Sequence, residues 1–248
     1  MTIRRRFRNR TRRDRRKALL VTDPIGDALR ADAIAYWKMD ETSGTRVDAT
    51  GNGHNATQTN NPSSVSGKIS NAIQFDGDNM QYLSVADHAD LRGDQDFTFA
   101  GWIRPLDAFG DQLPYGGLIT KGSGSNEEYG LYISGQKFNA SIYADPELTF
   151  VPALTFGILS IDTWYFVIVQ LTASTKQLAI SVNDGQFDTA IAPGTLPSTT
   201  GELLIGQNTF EVDYAWADVD ELGRWNRILT SDERAYLYNA GTGRTLYP

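Results

Sequence analysis

Residues 218–243, DVDELGRWNRILTSDERAYLYNAGTG, set a strand-like segment directly before a short capped helix, and that pairing limits the architectures open to the chain. In the first half, Val219, Glu221, Gly223 and Trp225 alternate with Asp220, Leu222, Arg224 and Asn226, the period of a β-strand. Leu222 beside Glu221 leaves neither face wholly apolar. Thr230 then offers a cap and Glu233 a reciprocal acceptor three residues on, so a helix starts there and turns Leu237 toward the body. Asn239, Ala240 and Gly241 end it, since glycine adopts the left-handed backbone of a helix C-terminus at little cost. A late strand that runs into a capped helix closes a domain, and the residues before it read as strands that this stretch completes.

Short apolar runs precede it at 34–39, 69–75, 82–85, 97–104, 118–121, 129–134, 138–143, 164–171, 177–182 and 203–205. Turn signals separate several of them, notably Asp76-Gly77 and Asn183-Asp184-Gly185, the second a good hairpin signal between alternating runs. Helices do not alternate with these runs as a parallel sheet requires, and no fixed period marks a propeller or solenoid. The expectation is an all-β chain folded as a two-sheet antiparallel sandwich with one short C-terminal helix. Hydrophobic residues at 40% and aromatics at 11% suffice for its core, and the absence of cysteine excludes disulfides and thiolate metal sites.

The net charge of −7 averages two unlike segments. Residues 1–17 hold nine arginines (Arg4, Arg5, Arg6, Arg8, Arg10, Arg12, Arg13, Arg15 and Arg16), one lysine and one aspartate; the remainder holds 13 basic and 29 acidic residues. A basic arm thus precedes an acidic body. Its like charges repel and only Ile3 and Phe7 offer bulk, so it does not fold alone. Fully extended, it reaches about 55 Å. Arginine makes forked contacts to carboxylates and phosphates, so the arm reads as an anchor into an acidic protein groove or onto nucleic acid, against a merely solubilising tail. Only Ala18, Leu19, Leu20 and Val21 follow it, too short an apolar run for a secretory signal, and no transmembrane segment is expected. Asp23 and Pro24 open a short helix to Arg30 that reads as a spacer, which divides the chain into an arm and linker at 1–32 and a body at 33–248.

Asp40 to Gly44 and Asp48 to His54 form a loop dense in glycine and oxygen ligands. Calcium takes six to eight oxygens, which such a loop can converge; an Asx-rich turn bonded only to its own backbone is the other reading. His54 and His88 sit in separate polar loops with no paired nucleophile, and read as surface residues. Trp37, Trp102, Trp164 and Trp225 fall in apolar strands and read as core. Phe109, Tyr115, Tyr143, Tyr214 and Trp216 lie in or near loops, where an aromatic face can stack on a sugar, fill a protein pocket or plug a loop-to-sheet gap.

The order of several weak motifs resembles the laminin-G-like branch of the concanavalin A-like lectin/glucanase superfamily over residues 33–243. They are Tyr36-Trp37-Lys38-Met39-Asp40-Glu41 with Asp48-Ala49-Thr50-Gly51-Asn52-Gly53; Ala72-Ile73-Gln74-Phe75-Asp76-Gly77 with Tyr82-Leu83-Ser84-Val85; residues 97–103, FTFAGWI; Trp164-Tyr165-Phe166-Val167; the Asn183 turn; Ile205-Gly206; and residues 219–230, VDELGRWNRILT. The resemblance implies a jelly roll that binds glycans or proteins. It also implies a structural calcium between the early glycine loop and the last strand, with Asp48, Gly51, Asn52, Gly53 and Asp220 as its ligands. Glucanases of the superfamily carry a Glu-x-Asp-x-x-Glu strand motif; here the nearest match, Glu211-Val212-Asp213-Tyr214-Ala215-Trp216, has tryptophan for the second glutamate, so no enzyme is expected. The resulting expectation is a lectin-like adhesion or display module held by its arm to protein subunits of a larger assembly, a phage virion as capsid decoration, spike or adsorption protein. A free or exported carbohydrate-binding module at the cell surface, and nucleic-acid binding through the arm, are the alternatives.

Overall fold

The alternating runs pair as strands. The structure, a computed structural model, describes residues 22–107, 116–123, 126–209 and 213–248, and the arm lies outside them. In chain order the strands are β1 (Ala33–Trp37), β2 (Thr57–Thr59), β3 (Ser63–Ser66), β4 (Asn71–Phe75), β5 (Tyr82–Val85), β6 (Phe97–Pro105), β7 (Gly116–Ser123) and β8 (Asn126–Ser134). There follow β9 (Lys137–Ala144), β10 (Glu147–Pro152), β11 (Tyr165–Thr172), β12 (Gln177–Val182), β13 (Asp188–Ile191), β14 (Leu203–Ile205) and β15 (Ala217–Trp225), with helices α1 (Pro24–Asp32) and α2 (Ser231–Tyr238) at the two ends. The first sheet has the order β13-β12-β11-β6-β15-β4-β3, with β1 also paired to β15; the second has the order β10-β9-β8-β7-β14-β5-β2. All pairings within them are antiparallel.

The main core fills the space between the sheets. Phe97, Phe99 and Ile103 of β6 meet Tyr129, Leu131 and Ile133 of β8 and Phe138, Ala140 and Ile142 of β9 in one buried cluster. A second cluster covers the outer face of the first sheet, where Tyr36, Trp102, Phe166 and Trp225 pack beneath Leu29 of α1, Leu237 of α2 and Leu246. This is why β6 and β15 are buried along nearly their whole length on both faces. Each such large side chain removed from water contributes about 1.5–3 kcal/mol. No helix among the described residues is long and apolar enough to cross a membrane.

Two expectations change. The helix read as a spacer is part of the body: Leu29 is fully buried, Trp225 Nε1 donates to the Leu29 carbonyl at 2.9 Å and Arg30 donates to the Leu246 carbonyl at 3.0 Å. The expected capping box does form on α2, between Thr230 and Glu233. Strands β2, β3, β10 and β13 were not expected, since they are short, polar or exposed and all four are sheet edges whose partners lie on one side alone.

Candidate functional site

The geometry of the last strand decides one candidate site. At Glu221 the backbone turns to φ 48°, and the register of β15 on β6 shifts between Asp220 and Gly223. This bulge inserts one residue and changes the phase of the alternation read from the sequence. Val219 and Leu222 therefore both enter the core between the sheets. Asp220, opposite Trp102, and Glu221, bonded to Tyr36, both turn to the outer side.

Asp220 is fully buried: its Oδ2 accepts from Ile69 N at 2.8 Å and its Oδ1 has no partner. Glu221 accepts from Tyr36 Oη at 2.6 Å through Oε2, and its Oε1 is likewise unpartnered. Burial pushes the Asp220 carboxyl up to about 8, with the charges of Glu221 and Asp40 adding to the rise while backbone N–H groups at Ile69 and Lys68 oppose it. Burial also lifts Glu221 to about 7, against the Tyr36 hydrogen bond. The charge of Asp40 raises both carboxyls further, and Asp40 itself accepts from Asn71 N at 3.1 Å with Lys38 Nζ 3.4 Å away. Two buried oxygens without donors, on carboxyls that resist ionising, fit a hard cation, which would supply the missing partner and favour the charged form.

Asp48 has different work. Its Oδ1 accepts from Tyr36 N (3.1 Å), Thr50 N (3.0 Å) and Thr50 Oγ1 (2.7 Å), and its Oδ2 from His54 N (3.1 Å). Gly51 and Gly53 take the positive φ values, 82° and 92°, that let the chain curl around this carboxylate. Asn52 Nδ2 donates to the carbonyls of Ala33 and Ile34, so the loop is laced to β1. Of the five residues expected to share a cation, four thus form one self-bonded loop, while Asp220 keeps company with Glu221 and Asp40.

A second candidate is the outer face of the second sheet. Since Ala140, Ile142 and Val151 point into the core, their neighbours Asn139, Ser141, Tyr143 and Phe150 point out. The register sets Leu148 opposite Tyr143, Phe150 opposite Ser141 and Tyr132 opposite Asn139, so these side chains share one face of the sheet, Ser141 and Tyr132 buried within it. Leu148 and Phe150 are 43% and 42% exposed on the edge strand. On β9 and β8, one and two strands further in, the face becomes polar: Glu127 accepts from Tyr132 Oη, from Ser141 Oγ at 2.8 Å and from Thr209 Oγ1 at 3.4 Å. Burial raises the Glu127 carboxyl, and these hydroxyls pull it back. Register again brings Glu127 there, through a bulge opposite Gly122 at Glu128.

Tyr143 is therefore on this face. Tyr214 lies across it against Tyr82, ring centroids 6.1 Å apart. Tyr82 is on β5, four strands from β9, or roughly 19 Å at the usual strand spacing. Trp216 is wedged against Gly77, where a Cβ would come within 2.8 Å of the indole, so it packs a turn. Phe109, Tyr115, Glu211 and the arm arginines lie outside the described residues. Sequence reasoning missed Glu127, Leu148 and Phe150; the aromatic flanked by Thr149 and Val151 was the available signal for Phe150, once a strand is recognised there.

A laminin-G family model of the concanavalin A-like lectin/glucanases superfamily matches residues 76–233. A search of curated proteins finds no match. Among solved structures, the binding domain of Paraclostridial Mosquitocidal Protein 1 superposes with a TM-score of 0.71 at 16% identity, over 86% of this chain and 53% of that one. Domain 4 of AbnA, a GH43 extracellular arabinanase from Geobacillus stearothermophilus solved with arabinotriose, gives 0.62 at 15% identity, over 86% and 98%. A botulinum neurotoxin type C structure, described by cell entry dependent upon interaction with two ganglioside molecules, gives 0.65 at 13%, over 86% and 52%. The chain spans about half the length of the two toxin chains, and likeness at these identities is one of fold. The family match runs from the turn after β4 to the first turn of α2 across two opposed antiparallel sheets, and the chain belongs to the concanavalin A-like lectin/glucanases superfamily, in its laminin-G-like branch.

Proposed function

We propose that the chain is a non-catalytic binding module that presents the outer face of its second sheet to a carbohydrate. The observation that carries this reading is the juxtaposition on one face of exposed Leu148 and Phe150 and half-buried Tyr143 with half-buried Asn139 and, beneath them, the buried polar group of Glu127, Tyr132 and Ser141. A sugar ring has an apolar face, which the exposed side chains can stack, and hydroxyls, which the half-buried Asn139 at their edge can pair. The arabinotriose of the AbnA domain and the gangliosides of the neurotoxin are consistent with it. Glycoside hydrolysis needs two carboxyls flanking one bond, whereas the partners of Glu127 are hydroxyls. Glycan-array screening followed by calorimetry tests the proposal: Phe150→Ala, Tyr143→Ala and Glu127→Gln should each weaken binding at least about tenfold, the scale of a lost stacking or charged contact. No glycan bound, or affinity unchanged in all three variants, would refute it.

In the same reading Asp220, Glu221 and Asp40 hold a structural calcium, in place of the loop of Asp48, Gly51, Asn52 and Gly53. When bound, calcium neutralises the paired carboxyls and ties the exit of β1 to β15. The arm, with its nine arginines before an acidic body, anchors the module to protein subunits of a larger assembly, a virion being the setting that motivates the proposal. Co-sedimentation with particles should require residues 1–17. Equal behaviour of arm-less protein would leave a free lectin-like module, and a steep loss of binding with salt on nucleic acid would reassign the arm.

A further inference from the structure

The chain has two histidines in 248 residues and no cysteine. The fold brings the two together, although they were read as unrelated surface residues. His54 follows Gly53 at the end of the β1–β2 loop, and His88 caps the 3-10 turn Ala89–Leu91 between β5 and β6. Their ring centroids are 5.0 Å apart with the planes near perpendicular, at 68°. Asp90 joins them, its Oδ2 3.2 Å from His88 Nδ1. One ligand atom from each of the three lies within 4.8 Å of the other two.

We propose that His54, His88 and Asp90 form a binding site for a borderline transition-metal dication of the zinc class. Imidazole nitrogen with one carboxylate selects zinc, copper or nickel over calcium, and three protein ligands with a position left to solvent make a recognised open site. Tetrahedral coordination at ordinary Zn–N and Zn–O lengths sets ligand atoms about 3.3 Å apart. The two side chains that must close this gap are free to turn: those of His88 and Asp90 are 56% and 50% exposed. The third is fixed, since His54 is buried, donates its backbone N–H to Asp48 Oδ2 at 3.1 Å and gives its carbonyl to Trp37 Nε1 at 2.7 Å. Binding through His88 Nδ1 would displace only contacts with Asp90: the long hydrogen bond from Asp90 N, 3.3 Å, and the approach of Asp90 Oδ2, 3.2 Å, among those described for that nitrogen.

Charge around the site supports this. Burial lowers the proton affinity of His54, so its ring stays neutral with a lone pair to give. Asp48 and Asp90 attract a cation there, while His88 and Arg224 oppose it. The Arg224 guanidinium is already engaged by Tyr129 Oη at 3.1 Å and the Arg92 carbonyl at 3.0 Å, and lies over the rings of Phe97 and Phe99. A bound metal would staple the β1–β2 loop to the β5–β6 connection and keep a coordination position facing solvent for water or an incoming donor.

The test uses the full chain, stripped with chelator and held in saturating calcium so that hard-ion sites stay filled. Zinc is titrated by calorimetry and cobalt by proton–nitrogen correlation of the imidazoles, where two histidines give two assignable spin systems. The expected result is one zinc per chain, both rings shifted together by cobalt, and at least about tenfold weaker binding in His88→Gln and Asp90→Asn, both exposed enough to leave the metal-free melting temperature unchanged. The proposal is overturned by no zinc binding, by a cobalt response at His88 alone, or by undiminished affinity in both variants.

Discussion

Replacing Asp220 by asparagine should abolish the pH dependence of stability that this residue imposes. In the metal-free protein its carboxyl moves from an ordinary value of 3.8 to about 8. At about 1.4 kcal/mol per tenfold change in proton affinity, ionising Asp220 costs the folded state roughly 5–6 kcal/mol more than it costs the unfolded chain. Because the folded value is raised, the contribution to stability is whole below the unfolded value near 3.8 and is lost as pH climbs toward about 8. Glu221, raised from 4.5 to about 7, acts in the same direction over a lower, overlapping window. Between about pH 5.5 and 8.5 in chelator, Asp220 alone should remove about 3 kcal/mol. Asparagine keeps the size and drops the titration. Urea unfolding of both proteins at the two pH values measures the difference directly, since groups not coupled to Asp220 titrate in common. The wild type should lose about 3 kcal/mol relative to Asp220→Asn on going to the higher pH, and calcium should restore it in the wild type only. Parallel pH profiles for the two proteins would refute the reasoning, and equal calcium stabilisation of both would remove Asp220 from the cation site.

Three further outcomes follow from contacts in the body. Thr230→Ala removes the cap whose Oγ1 accepts from Glu233 N at 3.3 Å, and chemical denaturation should register a loss of about 1 kcal/mol. A chain beginning at Ala33 should be less stable than one beginning at Thr22 by about 3 kcal/mol or more, because it uncovers Trp225 and deletes fully buried Leu29; equal melting temperatures would return α1 to the role of a spacer. Arg224→Ala should lower stability by about 3–5 kcal/mol and Arg224→Met by clearly less, since methionine keeps most of the volume against Phe97, Phe99 and Tyr129. A larger loss in the methionine variant would show that the hydrogen bonds to Tyr129 and the Arg92 carbonyl outweigh the packing.

Much of the fold was legible along the chain. Segments 82–85, 177–182 and 203–205 coincide with β5, β12 and β14, because the first two alternate and the third is a continuous apolar run, each enough to declare a buried strand by itself. The Thr230–Glu233 cap was legible for the same reason, as both partners lie within one helical turn. Phe150 on β10 was not, since an exposed edge strand needs no apolar period and its place is given by pairing with β9. Local pattern therefore determined which segments are the buried strands, where the late helix begins and that the chain is a two-sheet sandwich. Only the tertiary structure decided which side chains meet. A single left-handed residue at Glu221 changes the phase of β15 and turns Asp220 and Glu221 to one side, Asp48 is claimed by its own loop, and two histidines from separate loops come into ring contact. Period is a property of neighbours in sequence. Convergence depends on register, bulges and hydrogen-bond partners far apart in the chain, which no local pattern encodes.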